Sequence, residues 1–159
     1  MAYQQGGYFG QGYHVGCHAP GSMNQQYALD FTLNQGDAVL APDGADRVVY
    51  AGPATDGWST CGNTDVVGHG GGWWSVVCRL SHVDVTTGAR IGNNTVIGKV
   101  GGTGGFEPHL HFSLMHNAQI DMAHGRVYGG QSAKPHHMSH LGDGGGYYEN
   151  FTHGMRMSY

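Results

Sequence analysis

Glu107, Pro108, His109, Leu110, His111 and Phe112 set two imidazoles one residue apart in a run that reads as a β-strand. Side chains alternate along a strand, so His109, His111, Ser113 and Met115 share one face. Leu110, Phe112 and Leu114 share the other, the pattern of a half-buried strand. Two residues of strand span roughly 6.6 Å at about 3.3 Å rise per residue. One imidazole of such a pair can bind a metal while its neighbour reaches a substrate held on it. The chain contains 12 His, so chance also produces an H-x-H pair, and the spacing alone leaves both readings open.

The partners that metal chemistry requires lie upstream. Tyr27, Ala28, Leu29, Asp30 and Phe31 read as a strand with Asp30 between apolar neighbours, and His18 lies twelve residues before Asp30. A catalytic zinc site takes three nitrogen or oxygen ligands from the protein and keeps a fourth position open for water. His18, Asp30 and His111 would supply that set. Taken singly, Asp30 reads as a turn or capping carboxylate and His18 as a solvated loop histidine. Their order relative to the H-x-H strand favours the metal reading.

The elements that must position these residues are short strands. Glycine is the compositional outlier, 30 of 159 residues, and no long window shows a helical apolar period. Segments 37–41, 47–51, 64–67, 73–80, 83–86, 95–100 and 109–115 are rich in β-branched and aromatic residues and bounded by Gly, Asn and Asp turns. His69, Gly70, Gly71 and Gly72 turn a hairpin. The expected fold class is all-β, an antiparallel sheet or partly open β-barrel with long Gly-rich loops. At 16.9 kDa the chain suits a single domain with a real core. We assign residues 1–124 to that domain, with 1–16 as a Gly/Tyr-rich arm, and 125–159 to a Gly-, His-, Met- and Tyr-rich extension. His136, His137, His140 and His153 in that extension read as part of a polar cover for the sheet, or as a metal-scavenging or surface-binding arm. The first reading is favoured, because a fixed site needs ligands on rigid elements.

Composition narrows the function classes. A net charge of −4 with only seven Lys and Arg argues against a nucleic-acid groove. No stretch approaches the ~20 apolar residues of a membrane span, and no apolar signal core follows Met1. That leaves a cytosolic or virion product, or a mature secreted protein with an added Met. Cys61 and Cys78 flank the hairpin and could pair, leaving Cys17 odd, but three cysteines do not decide the compartment.

Several segments in order resemble the lysostaphin-type zinc endopeptidases, especially their β-lytic branch. Ala28-Leu29-Asp30-Phe31 is similar to the family's A-L-D-F segment. Gly36 to Ala41 and Gly44 to Gly52 resemble its G-x-x-V-x-A and G-x-V-x-x-A-G strands, the second with one extra residue. Gly62 to Gly70 resembles its G-N-x-V-x-x-x-H-G hairpin, and Val96 to Gly104 its V-I-G-x-V-G-x-T-G run before P-H-L-H-F. The resemblance covers residues 12–119, about two thirds of the chain.

It implies zinc (Zn2+) as cofactor, held by His18, Asp30 and His111, with His14 the fallback for the first ligand and His109 a catalytic histidine. It implies a peptide or peptidoglycan substrate, cut in cross-bridges or stem peptides, and with it an extracellular or cell-wall setting as a mature secreted form, or a virion-associated one. One position departs. Counting back from Gly88, Arg79 occupies the place of the family's second catalytic histidine in its Y-x-H-L segment. His82 lies three residues on, and simple alternation turns it to the opposite face unless a bulge intervenes. His82 is therefore the candidate second histidine and Arg79 a candidate substrate-binding residue. A peptidase-like fold that keeps its metal as a binding or structural module is the alternative.

Overall fold

A computed structural model of the chain describes residues 8–11, 25–134, 139–140 and 146–147. The described residues form fourteen strands: β1 Tyr8–Gln11, β2 Leu29–Thr32, β3 Ala38–Leu40, β4 Arg47–Pro53, β5 Asn63–Gly68, β6 Trp73–Leu80, β7 His82–Val83, β8 Val96–Lys99, β9 Leu110–His116, β10 Gln119–Asp121, β11 Arg126–Tyr128, β12 Gln131–Ala133, β13 Ser139–His140 and β14 Gly146–Tyr147. Among the described residues the helical content is one 3₁₀ turn, Ser59–Cys61. Among these residues no helix is long and apolar enough to cross a membrane. The all-β expectation holds, and the segments read as strands carry them, except that segment 83–86 meets a strand only at Val83, the end of β7.

The large sheet runs β1-β2-β9-β6-β5-β4, with β12 also paired to β9; the small one runs β3-β8-β7. Every pairing is antiparallel, and neither sheet closes into a barrel. β2 pairs with residues 110–112 of β9 and β12 with residues 114–116, so the two lie end to end along one edge of β9. β6 takes the other edge.

Alternation distributes the apolar side chains to two cores. Leu29, Phe31, Val67, Val77, Leu80, Leu110 and Phe112 face Val39, Ile97 and Val100 of the small-sheet layer. Val66, Val76, Cys78 and Met115 point the other way and are covered by Ala54, Trp58, Cys61 and Val127. Each fully buried aliphatic or aromatic side chain contributes about 1.5–3 kcal/mol. β9 is therefore clamped on both faces and both edges, which makes it a rigid platform for the histidines it carries. Cys61 and Cys78 form a disulfide that ties the 3₁₀ turn to β6. Cys17 lies outside the described residues.

Candidate active site

Asp30 and His111 sit directly opposite each other in the β2–β9 ladder, although 81 residues separate them. Directly opposed residues project on the same face, and here the ring meets the carboxylate: His111 Nδ1 lies 2.7 Å from Asp30 Oδ1. The ring's other nitrogen, Nε2, lies 2.8 Å from Gln25 Oε1. The amide oxygen can only accept, so Nε2 donates to it, and Nδ1 is the ring nitrogen turned to the carboxylate. His111 and Gln25 are buried, and Asp30 is nearly so, at 10% side-chain exposure.

His109 precedes β9, held by a bridge to Gly101. Its Nδ1 donates to the Glu107 carbonyl at 2.7 Å, which makes Nε2 the basic nitrogen. That nitrogen lies 3.9 Å from the same Asp30 oxygen. The H-x-H alternation thus delivers both rings to one carboxylate.

Arg79 reaches this neighbourhood through an irregularity. Between Asn63 and Asp65 on β5, three steps of β6 run from Leu80 back to Val77, so β6 carries one extra residue. Arg79 sits in this bulge with φ of 71°, and Val77 and Leu80 consequently both face the main core. Arg79 itself is turned to the loops: Nη1 donates to the Thr60 carbonyl at 2.6 Å, and the guanidinium stacks 3.5 Å from the Phe106 ring centre. Phe106 in turn sets its ring edge-on to His109, 5.9 Å between centres. Thr103 fastens this loop by donating to the Leu80 carbonyl at 2.8 Å and accepting from Asn63 N–H at 2.9 Å. Gly104 (φ 89°) permits the close approach, since a Cβ there would run into the Thr60 carbonyl.

His82 is not among the residues gathered at Asp30. It pairs with Lys99 on the small sheet, is 67% exposed, and turns its ring to Asp84 at 3.4 Å. The bulge falls at Arg79 rather than after it, so it redirects the arginine. His18 and His14 lie outside the described residues. Gln25 and Phe106 join the site without any signal in the sequence; neither belongs to a spacing pattern.

Two other titratable groups, one half-buried and one buried, lie elsewhere. His69 bonds Ser75 Oγ at 2.7 Å, and burial holds it below the usual histidine range. Asp65, fully buried, is pushed up to about 8 by burial and then by the Asp84 carboxylate.

The sequence profile of peptidase family M23 matches residues 24–122, a span that contains Asp30, Arg79, His109 and His111. The chain belongs to peptidase family M23. Solved M23 structures are similar across most of its length. The catalytic domain of lysostaphin, an antimicrobial peptidase from Staphylococcus simulans, is 27% identical, with a TM-score of 0.57 over 82% of this chain and 88% of that one. A putative M23 peptidase from Pseudomonas aeruginosa is 36% identical, with a TM-score of 0.52 over 57% of this chain and 38% of that one. A zinc-containing peptidase from Vibrio cholerae shares the fold at 24% identity and a TM-score of 0.51, over 73% of this chain and 34% of that one. The chain thus spans well under half of the Pseudomonas protein and nearly all of the lysostaphin domain. No curated protein matches it.

A histidine nitrogen and a carboxylate oxygen are zinc-type donors, and here they converge in a buried position. The donor set present therefore fits two of the three protein ligands of a catalytic zinc.

Proposed function

We propose that this M23 member is a zinc-dependent endopeptidase acting on peptide bonds of peptidoglycan cross-bridges or stem peptides, outside the cell or on a virion. His18, Asp30 and His111 would hold the metal. The observation that carries the reading is the buried Asp30–His111 contact at 2.7 Å, with His109 Nε2 3.9 Å from the same oxygen. Zinc bound there would supply a Lewis acid for the scissile carbonyl and lower the pKa of its bound water toward ~7.

The chain's own residues do the rest. His109 holds its Nδ1 hydrogen on the Glu107 carbonyl, so Nε2 accepts a proton from water and passes it to the leaving amine. Asp30 stabilises that ring once it becomes cationic. Arg79 cannot exchange a proton near neutral pH, but its fixed charge favours developing negative charge and holds Phe106 beside His109 as a wall of the substrate groove. The expected outcome is hydrolysis of a glycine-rich peptide or a peptidoglycan fragment that stops with chelator and returns with zinc. His111→Ala should lose stoichiometric zinc and His14→Ala should keep it. His109→Ala should keep the metal and lose about 10²–10⁴ in rate. Hydrolysis indifferent to chelator, or a His111→Ala protein that retains its zinc, defeats the reading.

Arg79 supports a second reading, a member that keeps metal and peptide binding but cleaves weakly. Zinc and peptide binding without turnover would select it.

A further inference from the structure

Gln25 occupies a position that neither the motif spacing nor the family match assigns. Its carbonyl accepts from Ala28 N–H at 2.8 Å, closing a turn just ahead of β2. That turn is pinned to β12, where Tyr27 N–H donates to Ser132 Oγ at 3.2 Å. The side chain folds back beneath the turn, 3% exposed, and sets Oε1 2.8 Å from His111 Nε2. Its own Nε2 is buried and has no hydrogen-bond partner among the described residues. A glutamine present only to fill space would satisfy both ends of its amide. This one spends its geometry on the single bond to His111.

An amide oxygen can only accept, so the bond keeps a hydrogen on His111 Nε2. A neutral imidazole protonated at Nε2 has its lone pair on Nδ1, the atom that faces Asp30. We propose that Gln25 is a positioning residue of the metal site, which fixes the His111 tautomer and ring orientation so that Nδ1 is the metal-donor atom. The proposal rests on the zinc reading above. Metal-ligating histidines ordinarily have their second ring N–H tied to an oxygen. A neutral amide does this without adding a second buried carboxylate beside Asp30.

The test uses the full chain, metal-depleted and titrated with zinc against a competing chelator. Gln25→Met keeps the length and removes the acceptor, and should weaken zinc binding about 10–100-fold. Gln25→Glu restores an acceptor oxygen and should recover affinity to within about threefold of the parent. Long-range proton–nitrogen spectra of the zinc-loaded parent should show His111 metal-bound at Nδ1 with a protected Nε2–H, and Gln25→Met should lose that protection. Unchanged zinc affinity in Gln25→Met, a loss that Gln25→Glu does not recover, or metal on Nε2 in the parent overturns the proposal. A parent protein that binds no stoichiometric zinc overturns the metal reading itself, and the proposal with it.

Discussion

Arg79 is the residue at which the proposed activity is most directly tested. It holds a positive φ that histidine, asparagine and aspartate also tolerate better than most side chains, so Arg79→His is compatible with the bulge. That substitution would place a proton-exchanging ring beside Phe106 and His109 in exchange for a fixed cation. We expect it to raise peptide hydrolysis without changing zinc content, since acid–base help is usually worth about 10²–10⁴ in rate. His82→Ala should leave turnover within about threefold, because a solvent-facing ring turned to Asp84 has no proton path to the site. Side-by-side kinetics of the two variants decide the matter: if His82→Ala abolishes hydrolysis and Arg79→His does nothing, the second histidine is His82.

At the scale of elements, β5 carries a conflict that the fold accepts. Asp65 pairs with Ala51 on one side and Val77 on the other, on the same face as Val67 by alternation, and neither carboxylate oxygen has a hydrogen-bond partner among the described residues. The native state keeps its proton to a pH of about 8, whereas the unfolded chain releases it near the ordinary value of 3.8. Between these values the native state binds more protons, so this group makes stability fall as pH rises. Asp65→Asn removes the slope. Its stability relative to the parent should grow by on the order of 4 kcal/mol between pH 4 and pH 7. Denaturant unfolding of both proteins across that range checks it, and parallel curves would show that Asp65 ionises normally.

For the whole molecule, the proposed metal would join distant parts of the chain. Asp30 and His111 come from strands 81 positions apart, so zinc held between them would bind the folded chain far better than the unfolded one. Free zinc at about 100 times its Kd should add about 2.7 kcal/mol. For a chain of this size that is a rise in Tm of roughly 5–10 °C. Differential scanning calorimetry should show the rise in the parent and none in His111→Ala. An equal rise in both would place the stabilising metal elsewhere.

The sequence by itself determined the strands that carry the site, β2 and β9 among them, and which side of β9 faces the chemistry, because both depend on a local two-residue period; β1 and β10 to β14 lie outside every segment it marked. It also marked Asp30 and His111 as partners, through the order of short motifs. The tertiary structure decided what no local pattern encodes. The direct Asp30–His111 pairing depends on β2 adding to the edge of β9. The orientation of Arg79 depends on one extra residue in β6, visible only once β5 is laid beside it. The Cys61–Cys78 pairing required the 3₁₀ turn to close over the sheet. Gln25 reaches His111 because a turn anchored to β12 folds its side chain under β2. Each of these is a contact between segments far apart in the chain, where the energy of packing, and not local propensity, sets the geometry.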